Sequence, residues 1–374
     1  MKTPDEILND ILRQASNNIE RSFIDNDDIR SRVEHVCREK SNRACARLIM
    51  ACMLAKIHKP SVDPRKPYTE IGTNDSFSGR SYDEDYITRF IHENRLPLNP
   101  TTAFLTPAFR NLNRELKTGL KLSGRPSSIY EDTLQLLDDV HQNKVTADNL
   151  LTEMVRVLLL MQKQHQDRLN SLLAELSTEN TLPLSAEEIV ALIEQHLKCK
   201  NSSRLPVLIV AAAYNSVEDK LGERILPLQS HNAADKQTGS LGDVEVCLEN
   251  DKRVVTVYEM KMKKVTIDDI NRAIEKISST SERIHNYIFI TTDVISDDVK
   301  LYAEKCYEKT EGTEFHIFDC ISFLRHFLHF FHRSRERFLD AYQNLVLGEP
   351  DSAVSQPLKE VFLALRLVAQ SRGE

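Results

Sequence analysis

The chain has no tryptophan, and aromatic residues make up 6% of its 374 residues. That scarcity argues against a carbohydrate-stacking platform. Glycine is scarce too, at 10 residues, which is about 3% against a usual ~7%. Propellers, collagen and other folds built on glycine turns are therefore not expected. The seven cysteines include no CxxC pair. An odd, low count without paired spacing reads as reduced, buried thiols of a cytoplasmic protein, not as a disulfide framework. Long apolar runs are missing: Ala46 to Ala55 and Leu205 to Ala213 fall short of the ~20 residues that span a bilayer. The opening MKTPDEILNDILRQ carries acidic residues where a secretory leader needs an apolar core, so a soluble, cytoplasmic protein is expected. Neither charge dominates, since 49 Lys and Arg against 56 Asp and Glu give −7. This excludes histone-like coating of nucleic acid but not a local basic groove. GxSxG, HExxH and GxGxxG are absent.

What the chain does have is a change of character near residue 205. Up to about 60 the text is helical, with Ile7, Leu8, Ile11 and Leu12 on one face and a second stripe from Val33 to Ile57. Pro60, Pro64 and Pro67 stop it. Residues 60–82 form a polar, basic stretch with little periodicity, read as a long ordered loop or a linker. Helices are expected at 83–95, 107–119, 127–142 and 146–176. Ser185 with Glu188 three residues on is a capping-box signature, opening a helix to about 199. After 205 comes a buried-looking helix, then two β-rich runs, GDVEVCLEND and KRVVTVYEMKMKKV, joined at Glu249-Asn250-Asp251. A helix N-capped by Thr266 follows, then the strand HNYIFITTD, a helix capped by Ser296, the strand TEFHIFDC and a long closing helix. The order α-β-β-α-β-α-β-α implies an α/β or α+β fold whose sheet has some parallel pairing. The expected organisation is a helical region over 1–200, an α/β core over 205–347 and a helical tail over 348–374.

The chemistry concentrates in 242–263. On a strand side chains alternate, so Val257, Glu259, Lys261 and Lys263 share a face. If the two β runs pair as a hairpin, Asp243 approaches the strand end where Glu259 lies. Two carboxylates meeting there suit a hard divalent cation such as Mg²⁺, and a lysine beside them can serve a water and offset charge on a phosphate. That is equipment for metal-assisted phosphodiester hydrolysis. The plainer alternative is cross-strand Glu and Lys pairing on a solvated face. Three contexts favour chemistry: the polar loop HNAADKQTGSLG before Asp243, the strand-strand-helix-strand-helix setting, and Glu218 on the helix upstream.

This arrangement resembles the PD-(D/E)xK nuclease superfamily over roughly residues 205–320. More narrowly, GDVEV…TVYEMKMKKV, with DPRKPYTEIGTNDSFSGRSYDEDYI in a helical N-terminal half, is similar to type II restriction endonucleases of the kind that cuts GAGCTC. The resemblance implies Asp243 and Glu259 as metal ligands, Lys261 as catalytic lysine, and Glu218 as a further acid, with Glu223 less favoured. Lys261 is preferred to Lys263 on spacing. The family's proline before the aspartate is replaced here by Leu241-Gly242. The resemblance further implies sequence-specific cleavage of double-stranded DNA with Mg²⁺, a homodimer on a palindrome, and a companion DNA methyltransferase. A repair or junction-processing nuclease of the same fold, and a non-catalytic DNA-binding protein, stand as alternatives.

Base and phosphate contacts come mostly from Arg, Lys, Asn and Ser. Arg65, Lys66, Asn74, Ser76, Ser78 and Arg80 in the 63–82 loop are the first candidates. Lys121, Arg125, Ser127 and Ser128 form a second patch, and Lys263 and Lys264 flank the carboxylates. His326, His329 and His332 drift around their helix without a Cys or acid in register, so zinc is not expected. Gly119 to Pro126 lacks the Lys-Ser/Thr end of a P-loop.

Overall fold

A computed structural model of the chain describes residues 2–39, 42–99, 101–178, 183–229, 240–280 and 283–371. Most of the polar loop before Asp243 (230–239) lies outside the described residues. The chain divides into two compact units, Met1–Asp167 and Arg168–Glu374.

The first unit is helical. Helix α1 (Pro4–Asn17) opens with a capping box between Thr3 and Glu6 and buries Ile7, Leu8 and Ile11. Helix α2 (Asp27–Arg38) is N-capped by Asn26. Helix α3 (Ala44–His58) is buried all round from Ala44 to Ala55, as expected of a helix apolar on every face. Its one charged core residue, Arg47, is fully buried and reaches Asp83 through Nη2 at 2.6 Å and Nε at 3.0 Å. Asp83 also accepts from Thr102 Oγ1 and the Ala103 N–H, each at 2.7 Å, so the buried charges have the partners they need. It begins a π-helical turn, Asp83–Ile87, between α4 (Gly79–Tyr82) and α5 (Thr88–Glu93). Helices α6 (Ser127–His141) and α7 (Ala147–Thr178) complete the unit, and the unit boundary falls inside α7.

The stretch 60–82 is an ordered loop, the first of the two alternatives its composition allowed: Asp63 N–H donates to Asp75 O (2.9 Å), Phe77 N–H to Lys66 O (3.1 Å) and Gly79 N–H to Pro67 O (3.0 Å). The helix expected over 107–119 does not form. Asn111 and Asn113 take left-handed backbone, at φ 51° and 49°, which asparagine tolerates and a right-handed helix does not.

The second unit is mixed α and β. Helix α8 (Ala186–Leu197) carries the Ser185–Glu188 capping box. Helix α9 (Leu205–Leu221) ends at Gly222 in left-handed conformation. The sheet runs β1 (Glu223–Ile225), β2 (Val244–Leu248), β3 (Val254–Lys261), β4 (Asn286–Thr291) and β5 (Glu314–Asp319), in that spatial order. The first two pairings are antiparallel and the last two parallel. The parallel steps cross over through α10 (Ile267–Ser278) and α11 (Asp297–Lys309), which pack with Val257, Tyr287, Phe289 and Phe315 on one face. On the other face Val244, Val246, Tyr258 and Ile290 meet α8, α9, α12 (Cys320–Phe330), α13 (Arg335–Gly348) and α14 (Gln356–Ser371). The sheet is thus a middle layer between helices. The single closing helix expected after 320 is two, broken at Phe331–Ser334, where buried Ser334 accepts from Lys220 Nζ at 2.6 Å. Helix α8 and residues 348–371 belong with the sheet: His196 on α8 bonds Leu358 of α14. Among the described residues no helix is long and apolar enough to cross a membrane.

Candidate functional site

The site grows from the β2–β3 pair. Val244 sits opposite Tyr258, and Asp243, the residue before it, meets the Tyr258–Met260 stretch of β3. Asp243 lies just outside β2, yet it extends the ladder: its N–H donates to Tyr258 O at 2.8 Å, and its Oδ2 accepts from the Met260 N–H at 2.7 Å. Gly242 makes this approach possible. A Cβ there would lie 2.5 Å from Val257 Cγ1 and 2.7 Å from Tyr258 O, closer than real Cβ contacts come. The segment before it is also held, with Leu241 N–H (2.6 Å) and Ser240 Oγ (3.1 Å) both donating to Glu245 Oε1.

Alternation along β3 buries Tyr258 against α9 and leaves Glu259 and Lys261 on the face of α10. Lys261 Nζ is 3.0 Å from Glu259 Oε1 and 3.4 Å from Asp269 Oδ1. Lys276, two helical turns beyond Asp269, brings its Nζ to 3.5 Å from Glu259 Oε2. Tyr287 Oη donates toward the same oxygen at 3.3 Å. Glu259 thus faces two ammonium groups and a phenol. Burial works to raise the Asp269 carboxyl, but hydrogen bonds from Thr266 and Arg272 and the charge of Lys261 outweigh it and hold its pKa below the usual range. Lys263 is exposed past the end of β3, and its carbonyl accepts from Thr291 Oγ1 at 3.1 Å. The structure therefore brings Lys261, and not Lys263, to the carboxylate.

Glu218 is exposed on α9 and lines a cavity with Arg204, Arg224, Leu226 and Glu349. Among the described residues no group of three or more His, Cys, Asp or Glu is placed to hold a metal ion, so Glu218 does not make a third ligand with Asp243 and Glu259. Glu223 sits on the edge strand β1, its pKa raised by burial. Asp243 and Glu259 alone still suit Mg²⁺, which takes one or two carboxylates and completes its shell with water and phosphate oxygens.

The candidate DNA contacts divide. Arg65 is 14% exposed and bonds Asp63 (2.9 Å), Asp138 (2.8 Å) and Glu115 (3.1 Å). Its guanidinium is thus held by three carboxylates inside the first unit. Lys66 pairs with Asp75 at 2.7 Å, Arg80 with Glu84 at 2.8 Å, and Ser78 N-caps α4. Asn74, Arg125 and Lys263 are exposed. His329 and Arg325 pair with Glu187, and Arg337 with Asp219.

Asp269, Lys276, Tyr287 and Glu245 were not among the candidates. Asp269 and Lys276 are seven residues apart on one helix, a spacing that shares a face. A tyrosine in an apolar strand signals a buried hydroxyl in need of a partner. Compared with known protein families and curated proteins, the chain matches no family profile and no curated protein.

Proposed function

We propose that this chain is a Mg²⁺-dependent, sequence-specific endonuclease for double-stranded DNA, of the type II restriction kind, built on a PD-(D/E)xK core. The reading rests on one observation: Lys261 Nζ lies 3.0 Å from a Glu259 carboxylate on the strand whose Tyr258 and Met260 backbone holds Asp243. The helix-strand-strand-helix-strand order around that pair accords with it. In this reading Asp243 and Glu259 hold the cation. When bound, Mg²⁺ supplies Lewis-acid polarisation of a phosphoryl oxygen. Lys261 orients the attacking water and offsets the negative charge that gathers on the phosphate. The water oxygen forms the new P–O bond and gives up a proton to solvent, the bridging P–O bond breaks, and the leaving oxygen takes up a proton from solvent. Exposed Lys263 and Lys264 beside the strand end favour a phosphate backbone. A homodimer on a palindromic site and a companion methyltransferase belong to the same proposal.

The test is Lys261→Ala. Cleavage in Mg²⁺ should fall by at least ~10²-fold, the scale of a lost general acid–base group. Sequence-specific binding in Ca²⁺, followed by gel shift, should stay within about threefold. Loss of binding together with cleavage would give Lys261 a folding role and contradict the assignment.

A further inference from the structure

Tyr287 is 1% exposed. Its ring stacks on Phe315 at 5.5 Å between centroids and tilts against Phe289 at 5.3 Å. The ring position is therefore set by the core, and only the hydroxyl reaches the site. That hydroxyl lies 3.0 Å from Leu241 O and 3.3 Å from Glu259 Oε2. A phenol has one proton to donate, so the two acceptors share it. Leu241 is two residues before Asp243, and Gly242 between them is pressed so closely on β3 that the segment has little room to move. One fixed hydroxyl thus touches both the segment that carries Asp243 and Glu259 itself.

We propose that Tyr287 is a positioning residue that couples the two carboxylates, holding the Leu241–Asp243 segment beside Glu259 so that both present oxygen to one divalent cation. This rests on the reading of Asp243 and Glu259 as a metal-binding pair. Groups that orient a ligating carboxylate from behind typically contribute ~10- to 100-fold to metal affinity.

The experiment titrates Mn²⁺ into the full chain by electron paramagnetic resonance, for wild type, Tyr287→Phe and Asp243→Ala. Phenylalanine keeps the ring packing and removes only the hydroxyl. The expected result is a Mn²⁺ Kd at least ~10-fold weaker in Tyr287→Phe, with a melting temperature in EDTA within about 2 °C of wild type. The Mg²⁺ concentration that half-saturates cleavage should rise by the same factor. If Tyr287→Phe binds Mn²⁺ as tightly as wild type while Asp243→Ala does not, the coupling role is overturned and the metal pair stands. If the melting temperature falls but the affinity holds, Tyr287 is a core residue only, and the proposal fails. If wild type and Asp243→Ala bind Mn²⁺ alike, the metal-site reading falls and takes this inference with it.

Discussion

Arg65 is held inside the first unit by three carboxylates. A basic side chain in a polar loop is a natural DNA contact, yet this one ties Asp63, Asp138 and Glu115 together at 14% exposure. Removing it leaves mostly buried carboxylates without their counter-charge, and breaking such pairs costs about 3 kcal/mol or more. Arg65→Ala should lower the urea-unfolding free energy by that amount, whereas exposed Arg125→Ala should change it by less than ~0.5 kcal/mol. Full stability in Arg65→Ala, with specific DNA binding lost, would support the base-reading role. Asp243, Glu259 and Lys261 were legible because strand alternation and a two-residue spacing are local properties. Arg65's partners Glu115 and Asp138 lie about 50 and 70 residues away in sequence, and no local pattern announces them. The same holds for Tyr287, whose hydroxyl meets Glu259 only because β4 pairs with β3.

At the level of elements, caps were the most readable feature. Ser185 forms the capping box that its spacing announces, and Thr266 caps its helix as expected and adds a box with Asp269, whereas Ser296 stands at the N-cap of α11 without a side-chain cap bond. Breaks were less readable. The three-residue strand β1 is too short for periodicity, and the turn at Phe331–Ser334 follows from packing, with Phe327 and Phe338 meeting at 5.8 Å. The joint among α8, α13 and α14 has its own signature. His196 Nε2–H donates to Leu358 O, and Nδ1 accepts from Tyr342 Oη, each at 3.0 Å. Burial lowers the His196 pKa to about 4. The unfolded chain takes up this proton near pH ~6.5, the folded chain only near 4. Stability from this group is therefore complete above pH ~6.5 and is lost as pH falls toward 4, by about 2 kcal/mol at pH 5. Urea midpoints at pH 7 and pH 5 should show this extra loss in wild type and not in His196→Gln. Equal pH slopes in the two proteins would refute a buried neutral histidine.

For the whole molecule, composition and element order sufficed for the class of fold: strands separated by helices gave parallel pairing, and the β hairpin gave the antiparallel β2–β3 pair, while the β1–β2 pair was not foreseen. The division of the chain was harder to read. Helix α7 runs unbroken across the boundary at Asp167, so no Pro- or Gly-rich linker marks it. Net charge also says little at this scale. A chain at −7 can bind DNA only through local basic groups, so its affinity should depend steeply on salt. The proposed Asp243–Glu259–Lys261 site would cut DNA with a divalent cation. The most direct test is a digest of phage DNA by the purified chain in Mg²⁺, in EDTA, and by Asp243→Ala in Mg²⁺. The account predicts discrete bands in the first and intact DNA in the other two. A smear would point to a non-specific or repair nuclease on the same site. Intact DNA in all three, across methylated and unmethylated substrates, would contradict the claim.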